Sequence, residues 1–296
     1  MLAIVIPYFK RTFFEATLES LANQTDKRFK VYIGDDASPE NPEILLKKFK
    51  GEFDFVYHCF ENNLGGISLV KQWKRCIALS GEEEWIMILG DDDVLGEGVV
   101  EEFYRNLPEV EQIGINVVRF STQVIDGVGK VIPCVFEHPK LEKATDAFWR
   151  KFTGKTRSSL SEYVFKRSFF LKFGFREYPL AWHSDDMAWL EFTERHPIFS
   201  INRTLIYIRM SNVSVSGKVD NLENKRLASY TFYEDIADDY LHFFDKKQRI
   251  KLIAKLEQQF FKQKQGALLF KIMKHHLKHT NLIHLVKFFR RIYINI

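Results

Sequence analysis

Along the first hundred residues, short apolar runs alternate with stretches whose apolar positions recur at helical spacing. Residues 3–7 form a β-branched apolar run, and 13–23 follow with Leu18 and Leu21 on one helical face. The run "FKVYIGDD" (29–36) reads as a second strand, 42–49 as a helix and 53–60 as a third strand. Residues 67–79 are predicted helical, "EWIMIL" a fourth strand, and 99–107 a helix. Strands alternating with helices predict an α/β fold, with a mostly parallel sheet covered by helices on both faces. In such sheets ligands bind at the carboxyl ends of the strands.

After Glu111 the pattern changes. "INVVRFSTQVIDGVGKVIPCVFE" predicts a hairpin turning at Asp126, Gly127 and Gly129. A helical stretch holding Phe148 and Trp149 follows, then a polar segment, "TGKTRSSLSEYVF". "AWHSDDMAWLEFTERHP" reads as a helix start with Ser184 and Asp185 as caps. "IFSINRTLIYIRMSNVSVSG" predicts a strand and a polar loop, and residues 221 onward read as helices. Neither an internal repeat nor a low-complexity linker interrupts the chain.

Charge is distributed unevenly along the 296 residues. The net charge of +4 conceals a basic tail, in which residues 246–296 hold 13 Lys and Arg against a single acid, Glu257, so the body before it is acidic. Interleaved with apolar side chains, that tail predicts either an amphipathic helix on an anionic membrane or a helix packed on the body with a solvated basic face. No recognition motif accompanies the charge, so nucleic acid is not the expected partner. Cys59, Cys76 and Cys134 lack metal-ligand spacing and are expected to be reduced core thiols of a cytosolic protein. "MLAIVIPY" lacks the basic flank and cleavage site of a signal peptide, and no apolar window reaches membrane-spanning length. The expected location is therefore cytoplasmic, with the inner face of the plasma membrane as the surface a peripheral tail would meet.

The candidate chemistry gathers at the predicted strand ends. The first strand ends at Pro7-Tyr8, the second at Asp35-Asp36, and the fourth at Asp91-Asp92-Asp93, so the acids converge on one sheet edge. A hard divalent cation takes one or two such carboxylates and fills its remaining positions with phosphate and water. The bland reading is a solvated acidic turn. Asp36 can accept from a base or ribose, or close an Asx turn. "NNLGG" (62–66) gives flexible backbone for a phosphate or ribose, followed by Lys71, Lys74 and Arg75. At Asp185-Asp186, a carboxylate held near a helix start can act as a base, with Asp185 expected to cap and Asp186 to face a cleft. His183 receives no role.

In their order, "AIVIPYFKR", "LESLANQT", "VYIGDDAS", "NNLGG", "ILGDDDVL", Asp185-Asp186 and "YIRMSNVSVSG" resemble family 2 of the nucleotide-sugar glycosyltransferases. The resemblance spans roughly residues 1–217 and implies a GT-A fold, with a nucleotide-binding half (1–110), an acceptor-side half (111–217) and a basic helical extension (218–296). It implies inverting transfer from a UDP-sugar, with Mn²⁺ or Mg²⁺, to a glycan or lipid-linked acceptor. Asp36 would bind the nucleoside and Tyr8 would lie against the base, with Pro7, Lys71 and Asp91 among the donor contacts. Asp92, helped by Asp91 or Asp93, would hold the metal, with Asp93 the expected second ligand. Asp186 would be the base, although Asp185 replaces the usual Glu and leaves the choice within the pair open. Gly90 stands where many members carry the first acid of the DxD motif. Two rival readings remain: a sugar-1-phosphate nucleotidyltransferase, whose glycine-rich opening loop is missing from "IPYFKR", and a non-catalytic membrane-associated partner in polysaccharide assembly.

Overall fold

The computed structural model describes residues 1–212, 214, 217, 221–264 and 266–295. The chain divides into two compact units, Met1–Asn221 and Leu222–Ile296. The boundary expected at 217/218 falls at Lys218, outside the described residues.

The first unit is built on a ten-stranded sheet. β1 (Leu2–Tyr8) lies between β2 (Phe29–Asp35) and β4 (Trp85–Ile88), and β3 (Phe55–Cys59) flanks β2; these four strands are parallel. The sheet continues through β9 (Tyr163–Lys166), β6 (Val117–Ile125), β10 (Ile198–Arg209) and β5 (Val94–Leu95). β7 (Val131–Phe136) forms the expected hairpin with β6, and β8 (Leu141–Glu142) pairs with β10.

Alternation along β1 explains its unbroken apolar run. Leu2, Ile4, Ile6 and Tyr8 enter one core with α1 (Phe14–Ala22), α2 (Glu43–Lys48) and α4 (Val99–Gln112). Ala3 and Val5 enter the other, with α3 (Leu69–Ile77) and α7 (Ser184–Phe192). A strand buried on both faces needs apolar residues at every position. Helices α5 (Ala144–Phe152) and α6 (Arg167–Phe173) complete the second half.

Three expectations need correction. The segment read as polar contains β9, which runs antiparallel between β4 and β6 and buries Tyr163, Val164 and Phe165. Four residues are too few to establish a period. Helix α4 continues through Pro108 to Gln112 instead of ending at 107, because burial of Val110 in the first core holds the turn beyond the proline. Of the three cysteines, which are all free thiols, Cys76 is buried, whereas Cys59 and Cys134 are exposed on β3 and β7.

The second unit comprises α8 (Leu222–Asp235), α9 (Lys246–Gln263), α10 (Gly266–His279) and α11 (Leu282–Asn295), with short irregular turns between α8 and α9. Leu252, Ile253, Leu256, Leu268, Ile272 and Phe288 are buried. Glu257, the single acid beyond Asp245, is buried and bonded to His276 at 2.8 Å and to Arg291. Among the described residues, no helix is long and apolar enough to cross a membrane.

Close packing of β2 against α3 yields a prediction. A Cβ on Gly34 would stand 2.3 Å from the Cys76 Sγ. Gly34→Ala should destabilise the first unit by about 1–3 kcal/mol, read as a lower Tm, and adding Cys76→Ala should restore part of the loss.

Candidate active site

β1, β2 and β4 run in parallel, so their carboxyl ends meet at one edge, and the acid turn Gly90–Asp93 is fixed there from three sides. Asp91 Oδ2 accepts from the backbone N–H groups of Phe9 and Lys10, both at 2.8 Å, which ties the turn to the end of β1. Asp93 is buried; its Oδ2 accepts from Ser161 Oγ at 2.5 Å and its Oδ1 from the Arg209 N–H at 2.9 Å. Arg209 also donates Nε to the Asp92 carbonyl at 2.9 Å and lies over the Phe13 ring. The Asp92 carboxylate is left outside these networks, and no protein hydrogen bond or ion pair engages it among the described residues. Burial, then the charges of Asp93 and Asp91, push its pKa up to about 8. Gly90 permits this crowding, since a Cβ there would stand 3.0 Å from Asp92 Oδ1 and 3.1 Å from Asp93 Oδ2.

This chemistry fits a divalent cation at Asp92 alone. A free carboxylate held beside two others is stabilised by an incoming cation, and Mg²⁺ or Mn²⁺ can draw its other ligands from phosphate and water. Among the described residues no group of three or more His, Cys, Asp or Glu is arranged to hold a metal. Asp93, expected as a second ligand, is instead committed to Ser161 and the end of β10.

At the end of β2, Asp35 is buried and holds the Ser38 N–H at 2.8 Å and the Tyr57 hydroxyl at 2.7 Å. Asp36 accepts from the N–H groups of Leu64 and Gly65, both at 2.8 Å, and pairs with Arg75. Gly65 is required by this contact, since a Cβ there would lie 2.4 Å from Asp36 Oδ2. The "NNLGG" loop therefore wraps the Asp36 carboxylate. Arg75, which also lies 3.9 Å over the Phe60 ring, is the cation that reaches it. Lys71, the expected contact, is exposed and lies 3.7 Å from Glu177, because it sits a turn earlier on α3 and points elsewhere. Tyr8 also departs from expectation. Its ring is fully buried 4.6 Å from Phe14 and its hydroxyl donates to the Glu40 carbonyl, so neither face is open to a base. Pro7 is half-buried beside Gly34 in the β1–β2 register.

The second acid pair begins α7. His183 occupies the position before the helix in a left-handed conformation (φ 72°), so neither Ser184 nor Asp185 caps it. Leu180 and Ala181 are also left-handed, at φ 59° and 52°. Three such non-glycine residues together cost on the order of 1 kcal/mol or more each, a concentration of strain typical of functional segments. Asp186 is buried and receives Lys151 Nζ on both oxygens, at 2.6 and 2.7 Å, with His183 Nδ1 at 2.7 Å from Oδ2. Burial works to raise its pKa, but Lys151 and then His183 hold it well below the carboxylate range. Asp185 is half-buried and forms no ion pair among the described residues; burial and the Asp186 charge raise its pKa. The two acids thus differ sharply: Asp186 is an ion-paired carboxylate, whereas Asp185 is without an ion pair among the described residues and its charged form is disfavoured.

A narrow cleft adjoins this pair, lined by Arg119, Lys151, Arg157, Tyr163, Asp186 and Trp189, among others. The Arg157 Nη1, the Arg119 Nε and the Glu162 Oε1 are buried without hydrogen-bond partners. Arg157 lies close enough for its charge to act on both Glu162 and Asp93. The segment 157–163 therefore links the acid turn, through Ser161, to α7, where the Tyr163 ring stacks on Trp189 at 4.1 Å. Sequence reasoning missed Lys151, Arg157, Ser161 and the pairing of His183, none of which lies in a recognisable motif. Arg209 stood inside "YIRMS", which offered a signal for its role.

The family model described as Glycosyl transferase family 2 matches residues 3–158. The chain belongs to glycosyltransferase family 2. A search of curated proteins finds no match. Among solved structures, S. aureus TarS (residues 1–349) in complex with UDP superposes at a TM-score of 0.62 and 13% identity, covering 93% of this chain and 80% of that one. Its complex with UDP-GlcNAc gives 0.63 and 14%, covering 93% and 79%. A further TarS structure gives 0.62 and 14% over 88% of this chain and 43% of that one. The fold of this glycosyltransferase is GT-A, a mixed α/β sheet with additional C-terminal helices.

The contrast within the acid pair can be tested by stability. Asp186→Asn leaves the half-buried Lys151 ammonium without the carboxylate that holds it and should cost about 3 kcal/mol, seen as a fall in Tm at neutral pH. Because the Asp186 pKa is depressed, that contribution is present above the ordinary carboxylate range and fades as pH falls through it. Asp185 has a raised pKa, so its anion is disfavoured in the folded state. Asp185→Asn should leave Tm unchanged or raise it.

Proposed function

We propose that this glycosyltransferase moves a sugar from a UDP-sugar to a hydroxyl of a glycan or lipid-linked glycan, with inversion at the anomeric carbon. The observation that carries the reading is the division of roles among the edge acids. Asp35, Asp36, Asp91, Asp93 and Asp186 are engaged by the protein, whereas Asp92 and Asp185 stay available. The UDP and UDP-GlcNAc bound by the TarS structures support a uridine donor.

Asp92 would hold a divalent cation together with the donor diphosphate. Bound there, Mg²⁺ or Mn²⁺ would neutralise the charge that builds on the leaving group. Asp36, in its Leu64–Gly65–Arg75 setting, forms the floor of the nucleoside site. Asp185 accepts the proton of the acceptor hydroxyl as its oxygen bonds to the anomeric carbon. The bond from that carbon to the diphosphate oxygen breaks on the opposite face, and UDP leaves with the electron pair. Its raised pKa makes Asp185 a stronger proton acceptor than an ordinary carboxylate. Asp186 and Lys151 fix the start of α7 and so aim the neighbouring carboxylate. Arg157, short of hydrogen-bond partners between the two acid groups, is placed to meet charge on the donor.

Calorimetric titration with UDP, with and without Mn²⁺, tests the donor half. Binding should require the cation and weaken at least tenfold in Asp92→Ala. If UDP fails to bind under either condition, the reading falls. The base is tested by turnover of UDP-sugars. Asp185→Asn should lose roughly 10²–10⁴-fold in rate. In the unmodified enzyme the rate should decline on the acid side, as Asp185 protonates at its raised pKa, and the variant should lack that limb. An unchanged profile would assign the base elsewhere.

A further inference from the structure

Among its described residues, the second unit leaves large apolar side chains of α10 and α11 exposed. Helix α11 turns Leu285 and Phe288 inward, where the Phe288 ring lies 6.0 Å from Phe260 on α9 and 5.9 Å from His276 on α10. Those residues account for its packing. Yet Leu282, Val286, Phe289 and Tyr293 recur at i, i+4, i+7 and i+11 on another side, with exposures of 67%, 59%, 41% and 87%. That spacing makes one continuous stripe. Phe270 and Leu277 on α10 are exposed as well, at 70% and 65%. Single exposed apolar residues are ordinary, but a ridge of large ones marks a surface that meets something apolar.

The charges on the same helices indicate what that is. Lys274, Lys278, Lys287 and Arg290 are exposed and form no ion pair among the described residues. The only acid on α9, α10 and α11 is Glu257, which is buried and already paired with His276 and Arg291. These helices therefore present cations and no carboxylate to their surroundings. A second copy of the chain meeting this face symmetrically would bring like charge against like charge. A bilayer with anionic headgroups satisfies both features at once.

We propose that the α10–α11 face docks on an anionic lipid bilayer. The stripe of α11 lies among the upper acyl chains, and Lys287 and Arg290, with Lys274 and Lys278, remain at headgroup level on extended stems. This inference is independent of the reaction, because it concerns a different unit and needs no donor or acceptor.

The full chain should be sedimented with vesicles of phosphatidylcholine, alone or mixed with phosphatidylglycerol, at low and physiological salt. It should bind the mixed vesicles, less strongly as salt rises, and leave the neutral ones largely free. Lys287→Glu with Arg290→Glu should weaken binding about thirtyfold. Val286→Ser with Phe289→Ser should weaken it at least tenfold at constant charge. Both pairs are exposed, so circular dichroism and Tm should match the parent. Failure to bind mixed vesicles at low salt would overturn the proposal. So would binding indifferent to the apolar pair, which would mark a surface for soluble polyanions. A dimer in sedimentation velocity that the apolar pair dissolves would instead assign the face to a second copy.

Discussion

Adjacent carboxylates at the end of a buried strand repel one another, and the surroundings of Asp91–Asp93 are arranged to manage that repulsion. Asp91 receives two backbone N–H groups from the end of β1, and Asp93 receives a hydroxyl and an N–H from segments far along the chain. Hydrogen bonds to a charged acceptor are among the stronger contacts a protein makes. Burial raises the pKa of all three acids, but at Asp91 and Asp93 these hydrogen bonds work against it, whereas Asp92 has none to offset its burial and the charges beside it. Readiness for a ligand here follows from how the neighbours are satisfied.

The second acid pair uses the opposite device. Lys151 compensates Asp186 within the protein, so the start of α7 is anchored by a buried ion pair of the kind that adds little net stability but is costly to break. The left-handed residues before it hold the chain in a conformation that local preference alone would not choose. Packing of Trp189 and Phe192 into the second core supplies the restraint. Asp185 inherits its position from this scaffold without forming an ion pair in it among the described residues.

β1, β2 and β4 were legible because they are covered on both faces. Such strands appear as unbroken apolar runs that stop at Pro7, Asp35 or Gly90, and their order fixes which acids share an edge. β9 was not legible, since its four residues acquire their strand identity from β4 and β6 on either side. The site acids were visible as residues, but their roles were not. Whether an oxygen is engaged depends on partners 35 residues away for Asp186, 68 and 116 for Asp93, and 81 and 82 for Asp91. No local pattern carries that information. The same reason explains Lys71 and Arg75: four positions apart on one helix, they differ in what they meet, and only the approach of β2 decides between them.

β9 also bears on how such an enzyme can diversify. Ser161, just before it, reaches the acid turn, and Tyr163, at its start, stacks on α7, so one short ribbon is bolted to both halves of the site. A slip of one residue in its pairing would turn Tyr163 to the wrong face of the sheet and shift Ser161 away from the acid turn. Exchange of segments between relatives therefore has a seam it must respect. A crossover placed within residues 157–166 would separate parts that are set together, and one at the β6–β7 hairpin tip would have to keep the Asp126 carbonyl that accepts from Arg209 Nη1 at 2.9 Å.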